Sequence, residues 1–145
     1  MLCCGDEELL RKTRYFQCNI DSSIIIPGEE STKLKKSYII FICTFDPFSD
    51  VRHLYTFENR CLENLSLTLG DETTEILFLS TKGKKDDVDD EMKDFLAYIE
   101  NSTDTCVQQT SSPLVKAIHK KVTEIKLDKN MELQYMTLLQ MQEGI

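Results

Sequence analysis

The sequence predicts an α/β (α+β) fold: a small mixed β-sheet of about four strands with helices flanking it. Three observations carry this. The first is the stretch Ser37–Phe48, where Tyr38 to Ile42 run apolar without a break and Asp46-Pro47 ends the run. A short β-branched and aromatic run bounded by turn residues reads as a strand buried on both faces, with neighbours on both edges. The second is a pair of later strand-like segments, Tyr55-Thr56-Phe57 and Glu75–Ser80. The third is a change of period beyond Lys85. There Val88, Met92, Phe95 and Ile99 recur at i, i+4, i+7 and i+11, the spacing of one helical face.

The totals fit one domain. At 145 residues, with 41% apolar and 29% charged side chains, the chain can bury a core. Residues 6–83 read as a sheet-containing core with a β extension, and 84–145 as a helical appendage. The net charge of −8 argues against gripping nucleic acid through bulk charge, while leaving room for a local basic cleft. No apolar run approaches the ~20 residues of a membrane span. Met1 to Asp6 shows neither the basic region nor the apolar core of a signal peptide, which points to the cytoplasm. The six cysteines, at 3, 4, 18, 43, 61 and 106, form no C-x-x-C pair and have no histidine nearby. They read as free thiols, several of them buried, rather than as zinc ligands or a disulfide.

In chain order, the first helix is expected from about Asp6 to Asp21. Asp6, Glu7 and Glu8 suit its N-terminal dipole. Leu9, Thr13, Phe16 and Ile20 make a core stripe, and Arg14, Gln17 and Asp21 share a polar face. Pro27-Gly28 is a turn, and Glu29 to Lys36 a polar loop with room for one helical turn. The Ser37–Phe48 strand follows, then a loop at Asp46–Asp50 and a strand within His53–Cys61. Leu65, Leu67 and Leu69 alternate with Ser66 and Thr68, as in a half-buried strand. Gly70-Asp71 is a turn. Asp86, Asp87, Asp89, Asp90 and Glu91 crowd the start of the next helix and read as its caps. They lack the central glycine and spaced final glutamate of a calcium loop. Asn101–Ser111 is expected as loop. Ser112-Pro113 caps a third helix with the stripe Val115, Ile118, Val122 and Ile125 and a wet side of Lys116, Lys120, Lys121 and Lys126. A last helix is expected over Met131–Gln142, carrying Tyr135, Met136, Leu138, Leu139 and Met141.

No phosphate-binding glycine loop, nucleophile elbow or H-e-x-x-H zinc motif occurs. His53 and His119, the only histidines, read as ordinary surface or edge residues. One acidic pair attracts attention: Asp46 after the apolar strand, and Glu58-Asn59-Arg60 on the next. Metal-dependent nucleases place an Asp and an E-x-K or E-x-Q on adjacent strands, where the carboxylates hold Mg²⁺. Here the third group is Arg60, which stays protonated and cannot serve as a base. The alternative is that Asp46 caps a turn and Glu58 pairs with Arg60 across a strand.

A series of short blocks carries a resemblance. In order they are Arg14-Tyr15-Phe16-Gln17, Ile20-Asp21, Gly28-Glu29, Leu34 to Cys43, Phe45-Asp46-Pro47-Phe48 and Tyr55 to Cys61. The leucine-rich segment, Leu77 to Gly83 and Glu132 to Leu138 follow. Together these resemble the PD-(D/E)XK nuclease family transposases, the recombination-promoting nucleases, over about Leu10 to Leu139. The resemblance implies a restriction-endonuclease-like core and, for full-length relatives, Mg²⁺-dependent hydrolysis of DNA in the recombination of mobile elements. It also implies what this chain lacks. In the family the catalytic Asp and E-x-Q lie on two strands before the helix bearing the Arg-Tyr-x-Gln block. That helix begins here almost at Met1, so the chain resembles the C-terminal portion: a truncated protein, with no catalytic residues, no Mg²⁺ and no activity of its own. Arg14 and Gln17 match positions flanking the family's active site, and Asp46 and Glu58 fall outside its catalytic hairpin. DNA is the partner of full-length relatives. For this chain, the expected partner is a second copy or a full-length nuclease, met at a sheet edge that the missing strands would have covered. The alternative function is a non-enzymatic interaction module that pairs through that edge.

Overall fold

The computed structural model describes residues 6–28, 30–70 and 74–143, with side chains at 6, 32, 135 and 138–143 left aside. Cys3, Cys4, Glu29 and Asp71, and the side chains of Asp6, Tyr135, Leu138, Leu139, Met141 and Gln142, therefore lie outside the described residues. The elements run α1 (Asp6–Ile24), a 3-10 turn (Ser31–Lys33), β1 (Tyr38–Cys43), β2 (Leu54–Phe57), β3 (Glu75–Ser80), α2 (Asp90–Glu100), α3 (Asp104–Gln109) and α4 (Pro113–Glu143). This is an α+β architecture with a mixed sheet. The chain divides into two compact units, one up to Asp89 and the other from Asp90 on. The sequence reading had put a change of character at 83/84 inside a single domain.

The sheet has three strands in the order β1-β3-β2, with β1 parallel and β2 antiparallel to β3. The apolar run at 38–43 is therefore an edge strand, and Glu75–Ser80 is the centre. The expectation of two-sided burial for β1 fails for the same reason. Ile39 and Cys43 are buried, but Tyr38, Ile40 and Ile42 are 55%, 56% and 46% exposed. Their outer face has too little packed on it, and alternation, not continuous burial, results. The expected fourth strand is absent. Leu65, Leu67 and Leu69 are exposed, and only an isolated bridge between Arg60 and Thr68 forms there. Alternating leucines cannot make a strand without a neighbouring ladder to satisfy their backbone.

On the covered face, register sets Phe41 and Tyr55 on either side of Phe78, and Ile39 and Phe57 on either side of Ile76. Phe78 is 1% exposed and is the hub of an aromatic cluster. It stacks on Phe41 with centroids 5.0 Å apart and receives Phe48 and Phe57 edge-on at 5.1 and 5.7 Å. Such offset and edge contacts suit the ring quadrupoles. Leu9 and Leu10 of α1 close over this cluster, and Phe16 reaches Phe41 at 6.0 Å. The α1 stripe read from spacing thus faces the sheet but is not a buried core: Leu9, Thr13 and Ile20 are half-buried and Phe16 is 40% exposed. The helix runs on to Ile24 because nothing before Pro27-Gly28 breaks it.

The second unit is helical. Leu96, Tyr98 and Val115 are its buried apolar residues. The Tyr98 hydroxyl donates to His119 Nδ1 at 3.0 Å, and His119 Nε2 donates to Asp104 Oδ1 at 2.6 Å. His119 thus ties together α2, α3 and α4, rather than sitting idle at a surface. Three expectations change here. The stretch 101–111 contains α3, capped by Thr103, whose side chain accepts from Cys106 N. The two expected C-terminal helices are one, because Leu127, Asp128, Lys129 and Asn130 include no Pro or Gly. The caps expected of Asp86 to Glu91 shrink to Asp90 and Glu91 in the first turn of α2. The start of α4 matches its expectation: Ser112 Oγ accepts from Val115 N at 3.3 Å and Pro113 opens the helix. Lys116, Lys120, Lys121 and Lys126 are exposed, as a solvated face requires. Of the described cysteines, Cys18, Cys43, Cys61 and Cys106 are free thiols, and only Cys43 is buried. No helix among the described residues is long and apolar enough to cross a membrane.

Candidate functional site

The polar face of α1 lines a cleft of about 750 Å³ in the first unit. Arg14, Gln17 and Asp21 lie at helical spacing and enter it together. Phe57 and Ile76 supply apolar lining. Glu58 and Asn59, directly after β2, and Thr74, directly before β3, come in because β2 runs antiparallel to β3. Lys35 completes the wall from the loop before β1.

Gln17 orders one side of the cleft. Its Nε2 donates to Asp21 Oδ1 at 2.9 Å and to Ser37 Oγ at 3.2 Å, and Ser37 Oγ lies 2.8 Å from Thr74 Oγ1. This chain of side chains links α1 to the starts of β1 and β3, so Gln17 is held while Arg14 stays exposed. Beside it, Lys36 Nζ pairs with Glu75 Oε1 at 2.9 Å. Glu58 is ion-paired with Arg60. The two residues follow β2 in succession and do not face each other across a ladder, while Arg60 also donates to the Leu65 carbonyl.

Asp46 and Glu58 do not form a site. Asp46 follows β1 beyond the Cys43–Ser80 end of the ladder, and Glu58 follows β2 beyond the Phe57–Ile76 end. The length of β3 separates them, on the order of 15 Å at ~3.3 Å per residue. Asp46 instead organises the loop behind β1. Its Oδ1 accepts from Phe48 N, Ser49 N and the Tyr55 hydroxyl at 3.2, 3.1 and 2.7 Å, and its Oδ2 from Val51 N at 2.7 Å. The Tyr55 oxygen in turn accepts from Asp50 N and Arg52 N. This network holds Ser49 and Val51 at φ of 56° and 51°, a region that costs a β-branched residue energy. Burial pushes the Asp46 carboxyl up, but the Tyr55 hydroxyl and the Val51, Phe48 and Ser49 amides outweigh it and hold it below the usual carboxylate range.

The sequence reading missed Asp87. Its Oδ2 accepts from His53 N and Leu54 N at 2.9 and 3.2 Å, and its Oδ1 accepts from the His53 ring at 2.7 Å. The carboxylate that seemed to cap a helix instead pins the start of β2. Gly83 lies against the same histidine: a Cβ there would come within 2.4 Å of His53 Cγ, so no other residue fits without a shift. No local signal could have paired residues so distant in sequence. Burial raises the Asp87 carboxyl, and the His53 ring with the Leu54 and His53 amides brings it below its ordinary value. Between a lowered folded pKa and the unfolded value of about 3.9, the unfolded chain binds more protons. Stability from Asp46 and Asp87 is therefore complete above the unfolded value and is lost as pH falls through the folded ones. Urea midpoints should stay level above about pH 5 and drop below pH 4, and Asp87→Asn should flatten that drop.

Among the described residues, no three His, Cys, Asp or Glu side chains converge as metal ligands would. The Mg²⁺ of the resemblance does not fit the cleft, where Asp21 is engaged by Gln17 and Glu58 by Arg60. Magnesium needs oxygen ligands in near-octahedral array, which these two carboxylates do not provide. No protein-family model, curated protein or solved structure matches the chain.

Proposed function

We propose that this chain is the C-terminal part of a PD-(D/E)XK nuclease-like protein of the transposase type, without hydrolytic chemistry of its own. One observation carries the reading. The polar face of α1 puts Arg14 and Gln17 on a cleft wall beside a sheet that stops at an edge strand, and among the described residues no three His, Cys, Asp or Glu side chains converge there. A wall of this kind can position a phosphate through Arg14, while its two carboxylates, Asp21 and Glu58, are engaged by Gln17 and Arg60. The residues that would hydrolyse DNA belong, on this reading, to strands that full-length relatives supply. A cytoplasmic location goes with it.

A second reading is favoured by β1. Among the described residues no strand pairs with its outer edge, and its outer face offers apolar side chains, which suits a module that binds a full-length nuclease by adding to its sheet. Asp46 and Glu58 as an active pair are not favoured, since β3 separates them.

Incubation with plasmid DNA and Mg²⁺ is expected to leave the DNA intact. Cleavage abolished by Glu58→Ala or Asp46→Ala would overturn the inactive reading. Sequencing the DNA upstream of the Met1 codon tests truncation: a frame encoding an Asp strand and an E-x-Q strand supports it. Co-migration with a full-length nuclease of the family supports the second reading.

A further inference from the structure

The free edge of β1 is self-complementary, and we infer that it pairs with the same edge of a second copy, antiparallel and centred on Ile40. This rests on the open-edge reading and names its occupant; it does not require the nuclease reading.

The hydrogen bonds to β3 use one side of β1. Ser37 O accepts from Glu75 N and Cys43 O from Thr81 N, each at 3.0 Å. Successive strand residues turn their N–H and C=O groups to opposite edges. Ser37, Ile39, Phe41 and Cys43 therefore face β3, and Tyr38, Ile40 and Ile42 face outward. No strand pairs with that outward side among the described residues. A two-fold at Ile40 sets Ile40 against Ile40 and Tyr38 against Ile42. Every outward residue then meets another outward residue and exchanges both backbone bonds with it. A slip of one residue opposes outward to inward groups and loses the ladder.

The side chains agree. Tyr38, Ile40 and Ile42 share the outer face and are each about half exposed. The same register brings them together as cross-strand apolar pairs. The charges do not oppose this direction. Antiparallel pairing lays Lys36, already paired with Glu75, beside Thr44 of the copy and Leu34 beside its Asp46, whose carboxylate is taken up by its own loop. Parallel pairing would align lysine with lysine. A groove of about 490 Å³ between Phe16, Asn19 and Ile20 of α1 and residues 38–41 of β1 leaves space beside the seam.

Sedimentation of the full chain over a concentration series is the test. The expected mass is twice the 16.8 kDa of one chain. Ile40→Pro deletes the central outward N–H without touching the bonds to β3, so it should halve the mass and leave the circular dichroism unchanged. Ile42→Lys, which sets a charge in the apolar cluster, should do the same. In the unmodified protein, the Tyr38, Ile40 and Ile42 amides should exchange more slowly as concentration rises, while Ile39 and Phe41 stay protected throughout. A monomer at every concentration, a dimer that survives both substitutions, or edge amides indifferent to concentration would overturn the proposal. None of these outcomes bears on the DNA cleavage assay, so failure of the dimer and failure of the nuclease reading are separable.

Discussion

Phe78→Ala should cost about 3–5 kcal/mol, the largest effect of any single substitution in the first unit. Phe78 is 1% exposed and sits on the central strand. Its ring contacts three others, Phe41, Phe48 and Phe57, from three separate segments. Truncation removes the transfer energy of the ring and leaves a cavity whose walls belong to β1, β2 and the Asp46 loop, so they cannot close on it together. Against a total stability of roughly 5–15 kcal/mol, such a loss can unfold the unit at room temperature. Urea unfolding followed by far-UV circular dichroism reads it directly. Phe78→Leu, which keeps most of the volume, should lose clearly less, and equal losses for the two would show that the ring contacts are not what holds the sheet.

Asp46→Ala should cost about 2–3 kcal/mol, the range for hydrogen bonds to a charged group. The substitution strands three backbone amides and the Tyr55 hydroxyl at once. The positive φ of Val51 then has nothing to sustain it. Asp46→Asn keeps an acceptor oxygen and should recover part of the loss. If Asp46→Ala melted with the unmodified protein, the carboxylate would not be the organiser of this loop, and its earlier suspicion as a metal ligand would need reopening.

How far the sequence was legible follows from which properties are local. The stripe and polar face of α1, the caps of α4 and the strand character of Tyr38–Cys43 and Glu75–Ser80 depend on neighbours a few residues away, and these were readable. The rank of the strands was not. Tyr38–Ile42 is the more apolar run, yet Glu75–Ser80 is central, because centrality depends on which edges find partners. Leu65, Leu67 and Leu69 show that alternation states a capacity, realised only beside another ladder. At the cleft, Arg14, Gln17 and Asp21 announced themselves by spacing. Glu58, Asn59 and Thr74 joined them only through the antiparallel run of β2 against β3. Asp87 was misread because a carboxylate near the start of a helix has an adequate local explanation, and its true partner, His53, lies far back in the chain, just before β2.

The strand order β1-β3-β2 has a temporal side. β2 and β3 are successive in the chain and can close as a broad hairpin over the 58–74 connection, a shorter closure than the one from β1 to β3. β1 reaches β3 only after β2 and its connections have been bridged, a longer closure with a higher entropic toll. Loop entropy therefore favours assembly in which the β2–β3 pair forms early and β1 arrives last. The most apolar strand of the protein is then the one that waits longest in water, with both its edges bare. A chain built this way is most exposed to mispairing while it folds, through the same residues that stay half exposed once it has finished.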